Sequence, residues 1–241
     1  MSESMQVWAE IGFNIMYLAA IWWLVFRMAS QRSDVAKDVQ PASDSMLVAF
    51  FLLALGDSGH VGFRVLALIS GDLETTVSFL GLEVGLIGLG VLSTSITVTI
   101  FYLLLLRAWR ERFQNTTGWI WLSGIALVLA RFALMIPPQN DWNSIVSPQP
   151  WSLIRNIPLI GLGLIVAALY FRDGRRDRLF WRIGWAVLVS FGFYIPVILL
   201  VERIPVIGML MIPKTLAYLV MAWLVYKDWF DIALIKSTPH A

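Results

Sequence analysis

The chain has 241 residues, of which 59% are hydrophobic and only 14% are charged, and its formal net charge is +2. A soluble domain is usually about 45–50% apolar and about 25% charged, so this composition indicates an integral membrane protein. The small net charge does not predict a nucleic-acid partner. The absence of cysteine excludes disulfides, thiolate metal sites and a cysteine nucleophile.

Seven apolar runs are each long enough to cross a hydrocarbon core about 30 Å thick. We therefore predict an all-α integral membrane protein, a seven-transmembrane-helix bundle that forms a single domain over residues 1–241. The N-terminal stretch MSESMQVWAE lacks the basic start of a signal peptide, so we expect the first span to remain in the mature protein. The predicted spans are residues 8–28, 46–70, 77–106, 118–137, 151–171, 180–201 and 205–226.

Basic residues fall almost entirely on one side of these spans. Thirteen of the 18 Lys and Arg residues lie in the first, third and fifth connections and in the C-terminal tail, whereas Arg203 alone lies on the opposite side. Cytoplasmic loops carry an excess of Lys and Arg. We therefore predict that the N-terminus is outside and the C-terminus is cytoplasmic.

The second span contains the polar stretch GDSGHVGFR, residues 56–64. The spacing of Asp57, His60 and Arg64 predicts that all three lie on one face of a helix. In the third span, Gly81 and Gly85 are four residues apart, a spacing typical of close helix packing. We expect an oligomer, if one forms, to use this glycine face.

Charged side chains in five spans, and Tyr194 in a sixth, are predicted to lie at a similar depth, in the outer half of the bundle. Charged groups in a bilayer usually face the bundle interior and pair with one another. We therefore predict one shared pocket. It contains four cations and two carboxylates, so it favours a small anionic ligand or a lipid headgroup, as in a sensor, a receptor-like protein or a carrier. The predicted pocket residues are Asp57, His60, Arg64, Glu83, Arg131, Arg155, Asn156, Tyr194 and Lys214.

Two other interpretations of these residues remain open at this stage. Asp57–Arg64, Glu83–Arg131 and Glu202–Arg203 are candidate structural ion pairs in a scaffold without a ligand. Alternatively, an intramembrane enzyme acting on a lipid or an isoprenoid would use Asp57 to orient His60 as general base, with Arg131 or Lys214 stabilising negative charge.

The outer connection, residues 137–150, is the longest external loop, and it either covers the pocket with Trp142 or serves as a stiff linker. A single histidine within the spans argues against membrane zinc hydrolases and haem b proteins. We therefore expect no metal centre and no resident cofactor, and we expect the lipid bilayer to be the main partner.

Four short motifs resemble those of an uncharacterised group of small bacterial seven-span membrane proteins. They are DSGH in the second span, PQNDW after the fourth, RNIP at the start of the fifth and MIPK in the seventh. The resemblance implies a multi-pass protein of the bacterial plasma membrane and implies no activity.

Two weaker similarities concern single motifs. DSGH is similar to the PSGH segment of membrane phosphatases of the phosphatidic-acid type, but the partner motifs with a second histidine are missing. PKTLAY, residues 213–218, resembles the lysine region of animal opsins. That resemblance implies a retinal Schiff base on Lys214 as a minor alternative.

Overall fold

Seven long helices make up most of the residues that the computed structural model describes, which are residues 3–70, 74–79, 82–144 and 147–231. Each is long and apolar enough to cross a membrane, if the last is counted with its flanking turns as Pro205–Phe230. The prediction of a mainly helical protein with seven long apolar helices is confirmed. The helices are α1 (Glu3–Ser30), α2 (Gln40–Ile69), α3 (Leu86–Arg112), α4 (Gly118–Met135), α5 (Trp151–Asp173), α6 (Arg178–Leu200) and α7 (Met211–Val225).

The last helix has an irregular turn at each end. A 3-10 helix, Pro205–Leu210, precedes α7, and a π-helical turn, Tyr226–Phe230, follows it. Pro213 lies in the first turn of α7, where a missing backbone N–H removes no intrahelical hydrogen bond. The seventh span therefore continues from Pro205 to Phe230 in spite of its proline.

The third span is shorter at its start than predicted. Strands β1 (Thr76–Phe79) and β2 (Leu82–Gly85) form an antiparallel hairpin in which Thr76 pairs with Gly85 and Ser78 pairs with Glu83. Leu86, the first residue of α3, donates its backbone N–H to the carbonyl of Thr75 at 3.0 Å. The prediction that residues 77–85 belong to the span was wrong, because hydropathy does not distinguish a short apolar strand from a helix.

The bundle has two unlike ends. The hairpin end carries β1 and β2 and the connections α4–α5 and α6–α7. The basic end carries the connections α1–α2, α3–α4 and α5–α6, with ion pairs such as Arg112 to Asp177 at 2.9 Å.

The helices differ in length. At about 1.5 Å per residue, α3 with its 27 residues is roughly 14 Å longer than α4 with its 18 residues.

Helices α2 and α3 pack more closely than side chains of ordinary size allow. A Cβ added at Gly56 would overlap the side chain of Thr97, and one added at Gly59 would lie 2.7 Å from the Oγ of Ser93. The glycines of the stretch GDSGH are therefore required for the approach of α3. Small residues at helix interfaces let backbones come together in this way.

The glycine face predicted in the third span is not helical. Gly85 is the last residue of β2, and a Cβ added to it would lie 3.4 Å from the backbone of Asn143. Gly81 lies outside the described residues. Close helix packing of the kind predicted for Gly81 and Gly85 is found at Gly56 and Gly59. An oligomer contact through Gly81 and Gly85 stays a prediction.

Candidate functional site

The polar residues next to the glycines of α2 bind to α1. The hydroxyl of Tyr17 donates to Oδ2 of Asp57 at 2.7 Å. The indole of Trp22 donates to the Oγ of Ser58 at 2.9 Å, and that hydroxyl donates to the carbonyl of Ala54 at 2.7 Å. These hydrogen bonds attach α1 to α2, so the polar stretch has a structural role in joining three helices.

His60 lies one turn further along α2, against α3. A Cβ added at Gly90 would lie 3.0 Å from the Cα of His60, so the histidine also depends on a glycine for its space. Its Nδ1 is buried and has no hydrogen-bond partner among the described residues. Arg64, partly buried in the last two turns of α2, lies within electrostatic range of His60. Asp57 bonds to Tyr17, and no described contact joins it to His60.

Arg155 attaches the loop between α4 and α5 to the start of α5. It is 4% exposed, and it donates from Nη1 to Oδ1 of Asn140 at 3.0 Å and from Nη2 to the Oγ of Ser147 at 2.6 Å. Its guanidinium also lies 4.4 Å from the ring centroid of Trp142. Both Nη atoms of Arg155 therefore bond to residues of the loop.

The same loop packs against the hairpin and α3. The indole of Trp142 donates to the carbonyl of Met135 at 3.2 Å. The Nδ2 of Asn143 donates to the carbonyl of Glu83 at 3.2 Å, and its Oδ1 accepts from the N–H of Gly85 at 2.8 Å. The described part of this loop therefore packs on the hairpin, and a cover over the pocket by Trp142 stays a prediction.

Glu83 does not join the other predicted residues. Its side chain is exposed on β2, and the described contact of this residue with the loop is made by its backbone carbonyl. The exposed side chain does not fit the prediction that Glu83 lines the shared pocket, because the residue precedes the first turn of α3. The alternative ion pair between Glu83 and Arg131 is not formed among the described residues either. The interior set therefore contains one carboxylate fewer than the sequence predicted.

Lys214 of α7 points towards aromatic rings. Its Nζ lies 3.8 Å from the ring centroid of Tyr194 on α6 and 5.8 Å from that of Tyr218. Such cation–π contacts are worth about 0.5–1 kcal/mol when exposed and about 2 or more when desolvated. Tyr194 in turn donates its hydroxyl to Oδ1 of Asn156 on α5 at 3.1 Å. Lys214 lies within electrostatic range of both Asp57 and His60.

Arg131 of α4 is a deeply buried charge that forms no ion pair among the described residues. It is 1% exposed, and its Nε and Nη1 are buried without a hydrogen-bond partner among the described residues. Its electrostatic neighbours include the phenols of Tyr194, Tyr218 and Tyr102. The hydroxyls of Tyr102 and Tyr218 are 3.4 Å apart. Removing an ionised group from water without pairing it costs several kcal/mol, so this guanidinium requires an acceptor.

The side chains around Arg131 and Lys214 form what we call the central cluster, contributed by α3, α4, α6 and α7. Neither cation forms an ion pair within the described residues. The phenols offer hydroxyl donors, so the cluster is rich in donors and poor in negative charge. Its chemistry suits an anion. The members of the central cluster are Tyr102, Arg131, Tyr194, Lys214 and Tyr218.

The predicted site residues therefore separate into three groups. Lys214, Tyr194, Asn156 and Arg131 meet around the central cluster. The second group lies on α2: Asp57 and His60 are within electrostatic range of Lys214, and Arg64 is within electrostatic range of His60. Arg155 and Glu83 belong to the loop and the hairpin. Sequence analysis missed Tyr17, Tyr102 and Tyr218, whose rings lie within apolar runs. A buried phenol usually has a hydrogen-bond partner, and that is the signal that a tyrosine in mid-span provides.

Comparison with models of protein families, with curated proteins and with solved structures finds no match to this chain. The resemblance to small bacterial seven-span proteins stays a prediction. The structure nevertheless connects three of the four motifs on which it depends. Asn140 of PQNDW binds Arg155 of RNIP, the neighbouring Asn156 binds Tyr194, and Tyr194 contacts Lys214 of MIPK.

Proposed function

We propose that this protein binds a small anion at the central cluster, within the membrane, and acts as a receptor-like sensor or as a carrier of that anion. The observation that carries the proposal is Arg131, a fully buried guanidinium whose Nε and Nη1 have no acceptor among the described residues. A bound anion supplies the missing negative charge and the missing acceptor together.

The neighbours of Arg131 support an anionic ligand. Lys214 adds a second positive charge whose described contacts are aromatic rings. Tyr102 and Tyr218 add hydroxyl groups that can donate to an anion. Hydrogen bonds to an ionised partner are about twice as strong as neutral ones, which favours a charged ligand over a neutral solute.

The packing supports a small ligand. Tyr102 is completely buried, and Tyr218 and Arg131 are nearly so. Two surface grooves of the described structure lie elsewhere and include none of the predicted site residues. An inorganic ion or a short carboxylate fits this setting better than a complete lipid headgroup.

We also propose that the hairpin end faces the outside of a bacterial plasma membrane. The excess of Lys and Arg at the basic end supports this orientation. A reporter that is active only in the cytoplasm should function when fused after Lys236 and fail when fused after Ile145. The reverse result would contradict the orientation.

The alternatives have less support. An enzyme based on Asp57 and His60 needs a hydrogen bond between them, whereas Asp57 binds Tyr17. Retinal on Lys214 would have to displace a packed pair of tyrosine rings from around the amine. Both stay untested predictions, and added retinal that coloured the protein would favour the second.

The direct test measures thermal unfolding of the detergent-solubilised protein in chloride, nitrate, phosphate or acetate, with gluconate of equal ionic strength as the reference. A specific anion should raise the stability in a saturable way, by about 2.7 kcal/mol at a hundred times its Kd. Arg131→Gln should abolish this increase. Arg172→Gln, which removes an exposed partner of Asp173, should preserve it and serves as the matched control.

Two further variants keep the test decisive if Arg131→Gln fails to fold. Lys214→Met and Tyr218→Phe each remove one group of the central cluster and should weaken the response to the same anion. An equal effect of all salts, gluconate included, would contradict the proposal. So would a stabilisation that survives unchanged in the three variants.

A further inference from the structure

An apolar groove runs along the outward face of α6 and α7. Its volume is about 720 Å³, and its walls include Trp185, Val189 and Phe193 of α6 and Leu216 and Val220 of α7. Several of these side chains are about half exposed, so the groove opens away from the bundle. In a membrane-spanning protein this surface faces lipid.

The groove has one cationic end. Arg182 lies in its lining, one turn after Arg178 at the start of α6, and is therefore at the basic end. It forms no ion pair among the described residues, although Asp228 lies within electrostatic range. Trp181 and Trp185 flank Arg182, and tryptophans of this kind are enriched where a membrane meets water.

The length of the groove matches one leaflet. Along α6 it extends from Arg182 to Phe193, which at about 1.5 Å per residue is roughly 17 Å. A hydrocarbon core is about 30 Å thick, so one leaflet contributes about 15 Å. The groove therefore begins at the interface of the basic end and stops near the middle of the bilayer.

We propose that this groove binds one acyl chain of an anionic phospholipid from the leaflet at the basic end, with the lipid phosphate on Arg182. The apolar walls accept the chain, and the charge of Arg182 selects the headgroup. The apolar walls do not distinguish one lipid from another, so selectivity comes from the arginine. This proposal is independent of the anion site in the central cluster.

The experiment titrates the detergent-solubilised full chain with dioleoylphosphatidylglycerol or dioleoylphosphatidylcholine and counts bound lipids by native mass spectrometry. Phosphatidylglycerol should bind more tightly. Arg182→Gln should weaken its binding about tenfold, the effect of losing one hydrogen bond to a charged group. Val220→Trp, which fills the groove, should weaken the binding of both lipids at this site.

Control variants lie on another face of the bundle. Arg110→Gln removes a cation that contacts Trp121, and Leu129→Trp enlarges an outward residue of α4. Neither should change phosphatidylglycerol binding. The proposal is overturned if both lipids bind equally to the unaltered protein, which would indicate only a nonselective lipid annulus. Unchanged phosphatidylglycerol affinity in both Arg182→Gln and Val220→Trp would overturn it as well.

Discussion

The polar stretch of α2 and the central cluster contain buried polar groups of similar kinds but use them differently. In α2, Asp57 and Ser58 have partners on α1, and the glycines beside them admit α3. In the central cluster, Arg131 and Lys214 have no carboxylate partner among the described residues. Buried polarity alone therefore does not identify a ligand site. The uncompensated positive charge of Arg131 is what supports the proposed anion site.

The largest expected effect tests the structural role of the glycines in α2. Gly56→Ala should lower the free energy of unfolding by about 3 kcal/mol, because the new Cβ overlaps Thr97 and α3 must shift. Thermal unfolding in detergent measures the change. Gly62→Ala is the matched control on the same helix, since nothing lies within 4 Å of its added Cβ. Alanine favours a helix over glycine at both positions, so equal losses from the two variants would contradict a special packing role for Gly56.

The second prediction tests whether the hydrogen bond between Tyr17 and Asp57 stabilises the protein. Asp57→Ala should cost about 1–3 kcal/mol, because it leaves the Tyr17 hydroxyl buried without its acceptor. Tyr17→Phe should also destabilise the protein, and the double variant should cost clearly less than the sum of the two. Additive losses in this double-mutant cycle would mean that the two side chains act independently.

The third prediction makes the opposite claim for Arg131. In gluconate, Arg131→Met should leave the stability unchanged or raise it by about 1–2 kcal/mol, because replacing an uncompensated buried charge by an apolar side chain removes its desolvation cost. Chemical or thermal unfolding of the purified variant measures this directly. A loss as large as that of Asp57→Ala would place Arg131 among the structurally paired groups and remove the contrast between the two regions.

The smallest expected effect concerns the loop over the hairpin end. Arg155→Lys keeps the charge but loses the planar fork that reaches both Asn140 and Ser147. We expect a loss of about 1 kcal/mol in stability, in line with one or two lost hydrogen bonds, and faster amide exchange in residues 137–144. Exchange in α2 should not change. A uniform increase across the chain would indicate global destabilisation instead.

The sequence predicted the helices better than it predicted their partners. Apolar length located seven spans because every backbone group in lipid must bond within its own helix. It failed at residues 77–85, where Val77 and Leu82 are apolar enough for a span but belong to strands. Spacing correctly placed Asp57 and His60 on α2, yet it did not indicate that Tyr17 would be the partner of Asp57. Contacts between distant helices, such as Tyr102 with Tyr218, depend on packing angles that one sequence does not specify.

Asn143 closes one edge of the hairpin, and this limits association between neighbouring copies of the protein. Its side-chain amide bonds to the carbonyl of Glu83 and to the N–H of Gly85 on β2. A strand from another molecule would use these same two backbone groups to pair with β2. Uncovered strand edges promote aggregation between chains. This edge of the hairpin is closed by a side chain of the same molecule, so the exposed end of the bundle is protected against strand pairing with its neighbours at that edge.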